Sequence, residues 1–149
     1  HDGRILQQGT PKEVFQYPIN EFVAKMTGIK NFFRVKLSGT TSAGNVTTII
    51  NKNIEINLLD DDGDHEGNLL IDSRDIIISR KKLVSSACNN FEGTIVEIIP
   101  HKTGVEIVVD VGVRFFVLIS EKSFKELELK PGEKVWISFK ASSVRFIRY

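Results

Sequence analysis

Residues 92–99, Glu92-Gly93-Thr94-Ile95-Val96-Glu97-Ile98-Ile99, and residues 105–111, Val105-Glu106-Ile107-Val108-Val109-Asp110-Val111, decide the fold class. Both runs are short and rich in branched residues, and the loop Pro100-His101-Lys102-Thr103-Gly104 separates them. Branched side chains pack well on a pleated surface and lose rotamer freedom in a helix, so the pair reads as two strands of a hairpin. Outward toward the C-terminus, strands are expected at 114–120 after the turn at Gly112, at 133–140 and at 144–147. Toward the N-terminus they are expected at 32–37, 45–50, 54–57, 68–71 and 76–79, separated by Gly, Asn, Asp and Ser. Strands this short and evenly spaced predict small barrels. One helix interrupts them: Ser123-Phe124-Lys125-Glu126 reads as a capping box, and Pro131-Gly132 as a turn beyond the helix end.

The first 29 residues follow a different pattern. Asp2-Gly3 is a hairpin-turn dipeptide ahead of a short expected strand, 4–7. Thr10-Pro11-Lys12-Glu13 gives a helix start, with Thr10 as N-cap, Pro11 at the first helical position and Glu13 closing a capping box. That helix should stop near Tyr17, before Pro18. Asn20 then caps a second helix over 21–27, ended by Gly28. The start, His1-Asp2-Gly3-Arg4, has neither the charged cap nor the apolar stretch of a signal peptide, and no initiator Met. The chain is therefore expected to be a piece cut from a larger protein.

Composition narrows the function classes. The 149 residues are 41% hydrophobic and 26% charged, ordinary for a globular protein, and no apolar run approaches the roughly 18 residues of a membrane span. The single cysteine, Cys88, excludes an intrachain disulfide framework or a cysteine zinc site. Net charge is +1, too balanced to predict nucleic acid as a partner. Residues 81–149 carry eleven bases and eight acids, so an anion is expected there rather than in 30–80, which carries six bases and eight acids.

Several motifs fail on inspection. No glycine precedes a lysine, so the phosphate-cradling GxxxxGK[ST] loop is absent and no catalytic residues are expected in this chain. Leu37-Ser38-Gly39-Thr40-Thr41 and Asn57-Leu58-Leu59-Asp60-Asp61 imitate parts of nucleotide hydrolases, but their connector, residues 44–50, is β-branched where a helix is needed. In Asp60-Asp61-Asp62-Gly63-Asp64-His65-Glu66-Gly67, a calcium loop with Gly67 at position 6 would put Ser73 where a bidentate Glu is required. A solvated turn is the better reading. His1, His65 and His101 share no ligand spacing, so no metal site is expected. Arg114-Phe115-Phe116 and Arg145-Phe146-Ile147-Arg148-Tyr149 pair bases with aromatics, as single-strand binders do. Alternation along a strand sends Phe116 and Phe146 toward the core instead.

Two stretches carry a family resemblance. Gly3-Arg4-Ile5-Leu6-Gln7-Gln8-Gly9-Thr10-Pro11-Lys12-Glu13-Val14-Phe15, followed by Pro18-Ile19-Asn20-Glu21-Phe22-Val23-Ala24, resembles the end of the nucleotide-binding domain of importer-type ABC ATPases. On that alignment His1 lies past the switch histidine, and every ATP-contacting motif lies upstream. Residues 85–98, Ser85-Ser86-Ala87-Cys88-Asn89-Asn90-Phe91 running on into Glu92–Ile98, together with 120–127 and 135–142, resemble the molybdate/tungstate-binding oligomer-barrel (Mop, or TOBE) domain. The family patterns are "SARN---G-v", "iT--S---L" and "v---fKas". Leu70-Ile71-Asp72-Ser73-Arg74-Asp75-Ile76 is similar to the family's "IRPEDI" segment, departing at Asp72, Ser73 and Arg74.

The resemblance implies a mainly β chain: two small OB-like/TOBE β-barrel lobes, 30–80 and 81–149, behind a helical ABC-domain remnant, 1–29. It implies that Ser86, Cys88, Ser120, Ser123, Lys140 and Ser142 match oxyanion-contacting positions or their neighbours. Hydroxyls and a lysine suit a tetrahedral dianion, which needs several donors and little competing negative charge. The family has arginine where this chain has Cys88, and a neutral thiol supplies neither the fixed charge nor the bidentate fork. Implied further are molybdate or tungstate as ligand, no cofactor in this chain, and ATP only in the upstream domain. The implied partners are a second copy of the chain and, through the parent ATPase, a membrane permease, at the cytoplasmic face of the membrane. Two alternatives stay open: a TOBE regulatory domain of a sugar or other-substrate importer that binds no oxyanion, and an oligonucleotide-binding barrel.

Overall fold

The computed structural model describes residues 1–37, 45–59, 65–87 and 89–148. Among them run α1 (Pro11–Gln16), α2 (Glu21–Met26), β1 (Asn31–Leu37), β2 (Asn45–Ile50), β3 (Ile54–Leu59), β4 (His65–Ile71) and β5 (Ile77–Ser79). Then come β6 (Asn89–His101), β7 (Gly104–Asp110), β8 (Arg114–Ile119), α3 (Glu121–Leu127), β9 (Lys134–Phe139) and β10 (Val144–Arg148), with 3-10 turns at Ser73–Asp75 and Ala141–Ser143. The fold is mainly β, as the sequence predicts.

The helical starts follow their caps. Thr10 Oγ1 accepts from the Glu13 N–H while the Glu13 carboxylate accepts from the Thr10 N–H, so the capping box closes. Those Thr10 donors, the backbone N–H first, hold the Glu13 carboxyl below its ordinary pKa. Asn20 caps α2 through the Val23 N–H, and Gly28 leaves the helix at φ 85°. The expected strand over 4–7 does not form. No ladder partner faces it among the described residues, and Gln7 instead uses its side chain to hold the Tyr17 carbonyl and the Ile19 N–H.

Among the described residues the β region forms three antiparallel sheets, ordered β1-β4-β10, β2-β3 and β5-β9-β6-β7-β8. Period-two patterning places Val46, Thr48 and Ile50 of β2, and Ile54, Ile56 and Leu58 of β3, in the interior, while Ile49 and Glu55 face water. Two strands cross the position between residues 80 and 81. β5 joins β9 (Ile78↔Ile137), and β10 returns to β4 (Val144↔Ile71). The interior follows the same weave. Val35, Leu58 and Ile71 share one continuous cluster with Ile107, Phe115 and Phe139. Phe115 lies at its centre, its ring 5.2 Å from that of Phe33 and 5.8 Å from that of Phe139.

Four local expectations change. The loop expected over 100–104 shrinks to Lys102-Thr103, because His101 pairs with Gly104 and the ladder continues almost to the turn. Gly104 allows this at φ 149°, and a Cβ there would meet the Ile119 carbonyl oxygen. β6 starts at Asn89, earlier than expected, and its register with β7 shifts between Ile95 and Glu97. Such a bulge bends a strand, letting one 13-residue strand serve both β7 and β9. Next, α3 begins before Ser123. Ser120 is the N-cap, accepting from the Ser123 N–H at 3.1 Å, and Glu126 lies near Lys122 instead of closing a box. Gly67, set in the expected turn, lies within β4 opposite Val35.

Candidate functional site

The β6–β9 ladder places the first group of expected donors. Asn89 pairs with Phe139, so the segment leading into Asn89 and the one leaving Phe139 emerge at the same end of the sheet. Ser86 lies on the first and Lys140 on the second, both exposed. Lys140 makes no ion pair among the described residues, and its carbonyl accepts from the Ser143 N–H at 3.0 Å. Ser142 is exposed on the Ala141–Ser143 turn, which packs against β3. Cys88 lies outside the described residues.

The second group is set by β8 and α3. Ile119 pairs with Val105, and Ser120 follows it directly. Ser120 Oγ donates to Ser123 Oγ at 3.0 Å while accepting the Ser123 N–H, so the two hydroxyls form one unit at the start of α3. Ser123 is half-buried and Ser120 exposed. Among the described residues, Ser120 and Ser123 are the one pair of the six expected positions joined by hydrogen bonds. One chain therefore presents a serine pair on α3, and separately a lysine with nearby serines at the β6–β9 end.

A cleft of about 710 Å³ lies elsewhere. It opens between the helical segment, the Ser73–Asp75 turn and the β6–β7 hairpin, and of the five described positions among the six only Ser142 lines it. Its three cations are matched by three carboxylates. Asp72 is hydrogen-bonded by Arg74 through Nε at 3.1 Å and Nη2 at 2.8 Å, which holds its carboxyl below the ordinary aspartate range and raises the guanidinium. Buried Glu106 accepts from Lys30 Nζ at 2.7 Å and faces His101 at 3.6 Å. Arg145 donates to the Gln16 carbonyl at 2.6 Å. A wall with matched charges does not attract a dianion, so the cleft is the weaker place for one.

Two buried asparagines escaped the sequence reading of the site. Asn89 Oδ1 accepts from the Asn57 N–H at 2.8 Å and its Nδ2 donates to the Asn57 carbonyl at 2.9 Å. Asn31 does the same for Phe116, with both contacts at 2.8 Å. Each amide supplies the two hydrogen bonds that a neighbouring strand would give. An asparagine one or two residues ahead of an aromatic strand residue (Asn31-Phe32, and Asn89-Asn90-Phe91) was the signal available, since asparagine is otherwise depleted in strands.

Residues 85–146 match the family model of the TOBE domain. Among curated proteins, the molybdate/tungstate import ATP-binding protein WtpC of Pyrococcus abyssi is 30% identical over 146 residues, covering 96% of this chain and 40% of the relative. The multiple sugar-binding transport ATP-binding protein MsmK of Streptococcus mutans serotype c is 28% identical over 151 residues, covering 97% of this chain and 39% of the relative. The chain thus spans about two fifths of the length of these relatives. Among solved structures, the cytoplasmic molybdate-binding protein ModG, crystallised with molybdate bound, superposes with a TM-score of 0.70 at 18% identity. That match covers 81% of this chain and 97% of ModG, and it shows a shared fold.

Proposed function

We propose that this chain, whose residues 85–146 match the TOBE family model and which is similar to importer ATP-binding subunits, is the regulatory region of an ABC importer ATPase. In this reading it binds molybdate or tungstate and inhibits transport when the anion is abundant inside the cell. The observation that carries the reading is that the TOBE match includes all six expected donor positions, Ser86 through Ser142, while the described ones remain on the surface or half-buried. Lys140 brings the positive charge, uncompensated by an ion pair among the described residues. Ser120, Ser123, Ser86 and Ser142 bring hydroxyls whose hydrogens can turn toward an oxyanion. Because one chain holds these donors in separate groups, a second copy is the means of completing the site, one copy offering the serine pair and the other the lysine. Two-fold symmetry would then generate two equivalent sites. Inhibition follows if the anion prefers the arrangement in which the two ATPase subunits are held apart. The chain itself carries no chemistry in this scheme; hydrolysis belongs to the parent ATPase, which pairs with a permease at the cytoplasmic face of the membrane.

Titrating tungstate into the purified chain while following its mass by sedimentation tests this reading. Binding in the nanomolar to micromolar range with a dimer present is the expected result. A folded dimer that binds no tungstate would favour the second reading, a TOBE regulatory domain of an importer for another substrate. The MsmK relative and the cysteine in place of the family's arginine both keep that reading in play.

A further inference from the structure

The turn that carries Ser86 is tied down by a hydrogen-bond relay lying outside the six expected positions. Ser138 on β9 is fully buried, and its hydroxyl donates to Asn90 Oδ1 at 2.8 Å. Asn90 stands directly opposite Ser138 in the β6–β9 register. From the same amide, Nδ2 reaches back and donates to the Ala87 carbonyl at 2.9 Å. Ala87 is itself buried, and its N–H donates to Ser85 Oγ at 3.2 Å. The relay therefore runs from the interior of β9, through one side chain of β6, to the backbone next to Ser86. It starts two residues before Lys140, which leaves the same strand, β9, at the same end of the sheet.

We propose that Asn90 and Ser138 are a positioning pair that sets the Ser86 turn against Lys140, and so fixes the spacing of the hydroxyl and ammonium donors. This rests on the oxyanion reading for its functional meaning, while its geometric half stands apart from any ligand. A buried hydroxyl without an acceptor is costly, so Ser138 holds Asn90 in one rotamer. A carboxamide held at Oδ1 has its Nδ2 aimed in a fixed direction, here at Ala87. Without Ser138 the amide is free to turn, and the turn loses its tether to the sheet. Donor groups drifting by about an ångström weaken a preorganised polar site even though none of them has been removed.

The test compares Ser138→Ala, which deletes the hydroxyl, with Ser138→Thr, which keeps it, in the full chain. Hydrogen exchange of the 83–87 amides without ligand reads the tether, and calorimetry with tungstate reads the site. Thermal unfolding of each variant is recorded alongside. Ser138→Ala is expected to speed exchange across 83–87 severalfold and to weaken tungstate binding about fivefold. Ser138→Thr should keep both near the wild-type values. Unchanged exchange in Ser138→Ala would overturn the tether, and faster exchange with undiminished tungstate affinity would overturn its positioning role. If the wild-type chain binds no tungstate, the oxyanion reading fails, and the exchange result alone decides whether the relay orders the turn.

Discussion

The carboxamide of Asn31, fully buried, donates to the carbonyls of Ile71 and Phe116 and accepts from the Phe116 N–H, binding β1, β4 and β8 together. Asn31→Leu keeps the volume and strands both backbone groups of Phe116 away from water. Each such group costs about 1–3 kcal/mol, so a loss of roughly 2–4 kcal/mol is expected in urea unfolding. Asp72 tests the electrostatics at the same scale. Its depressed pKa means that the Arg74 contact contributes stability above the ordinary aspartate range and loses it as pH falls through the lowered value. Arg74→Gln should therefore move the Asp72 carboxyl titration, followed by NMR, back up toward the ordinary range. For the proposed site, Lys140→Ala should weaken tungstate binding more than Ser120→Ala, since a charge-assisted contact contributes about 1.5–3 kcal/mol and a neutral hydrogen bond about 1. Cys88→Arg, restoring the family's charge, should tighten it about tenfold, a gain of about 1.4 kcal/mol by calorimetry. If both Lys140→Ala and Cys88→Arg leave the affinity unchanged, the pocket is not where the resemblance places it.

At the scale of elements, α3 ends on Glu128 in the left-handed conformation, φ 50° and ψ 45°, where a Cβ is penalised. The carbonyls of Leu127 and Glu128 are held by the guanidinium of Arg80, which also pairs with Glu133 and keeps that carboxyl below its ordinary pKa. Because the exposed Glu128 side chain enters no ion pair among the described residues, Glu128→Gly should raise stability by about 1 kcal/mol, seen as a higher midpoint in thermal unfolding. The elements most legible in the sequence were those specified by their own residues. The capping box at Thr10, the Asn20 cap and the branched runs of β2 and β7 all read correctly. What escaped depended mostly on residues far away, the local start of α3 being the exception. The strand expected at 4–7 needed a partner, the start of α3 turned on which of two serines faced the helix, and β6 reached back to Asn89 because β9 was there to meet it. The site divides in the same way. The motif string marked Ser86 and Lys140, but not the amide relay behind them, whose members are 48 positions apart.

For the whole molecule, the exchange of β5 and β10 makes two contiguous stretches into one interwoven body whose main hydrophobic cluster draws on both, with a smaller cluster of Ala24, Ile29 and Leu70 beside it. Unfolding should follow one transition, with calorimetric and van't Hoff enthalpies in agreement. Severing the chain between residues 80 and 81 should leave neither part with a native-like circular dichroism spectrum, whereas mixing the two should restore it. Two resolved transitions in the intact chain would show that the weave does not couple the parts. The return of β10 to β4 also has a temporal side. Ile71 faces both Asn31 and Val144, one made 40 residues before it and the other 73 after. At the ribosome, which adds about 5–20 residues each second, β4 therefore waits several seconds with one flank open, a period in which a chaperone or a neighbouring nascent chain can reach that flank before Val144–Arg148 arrives.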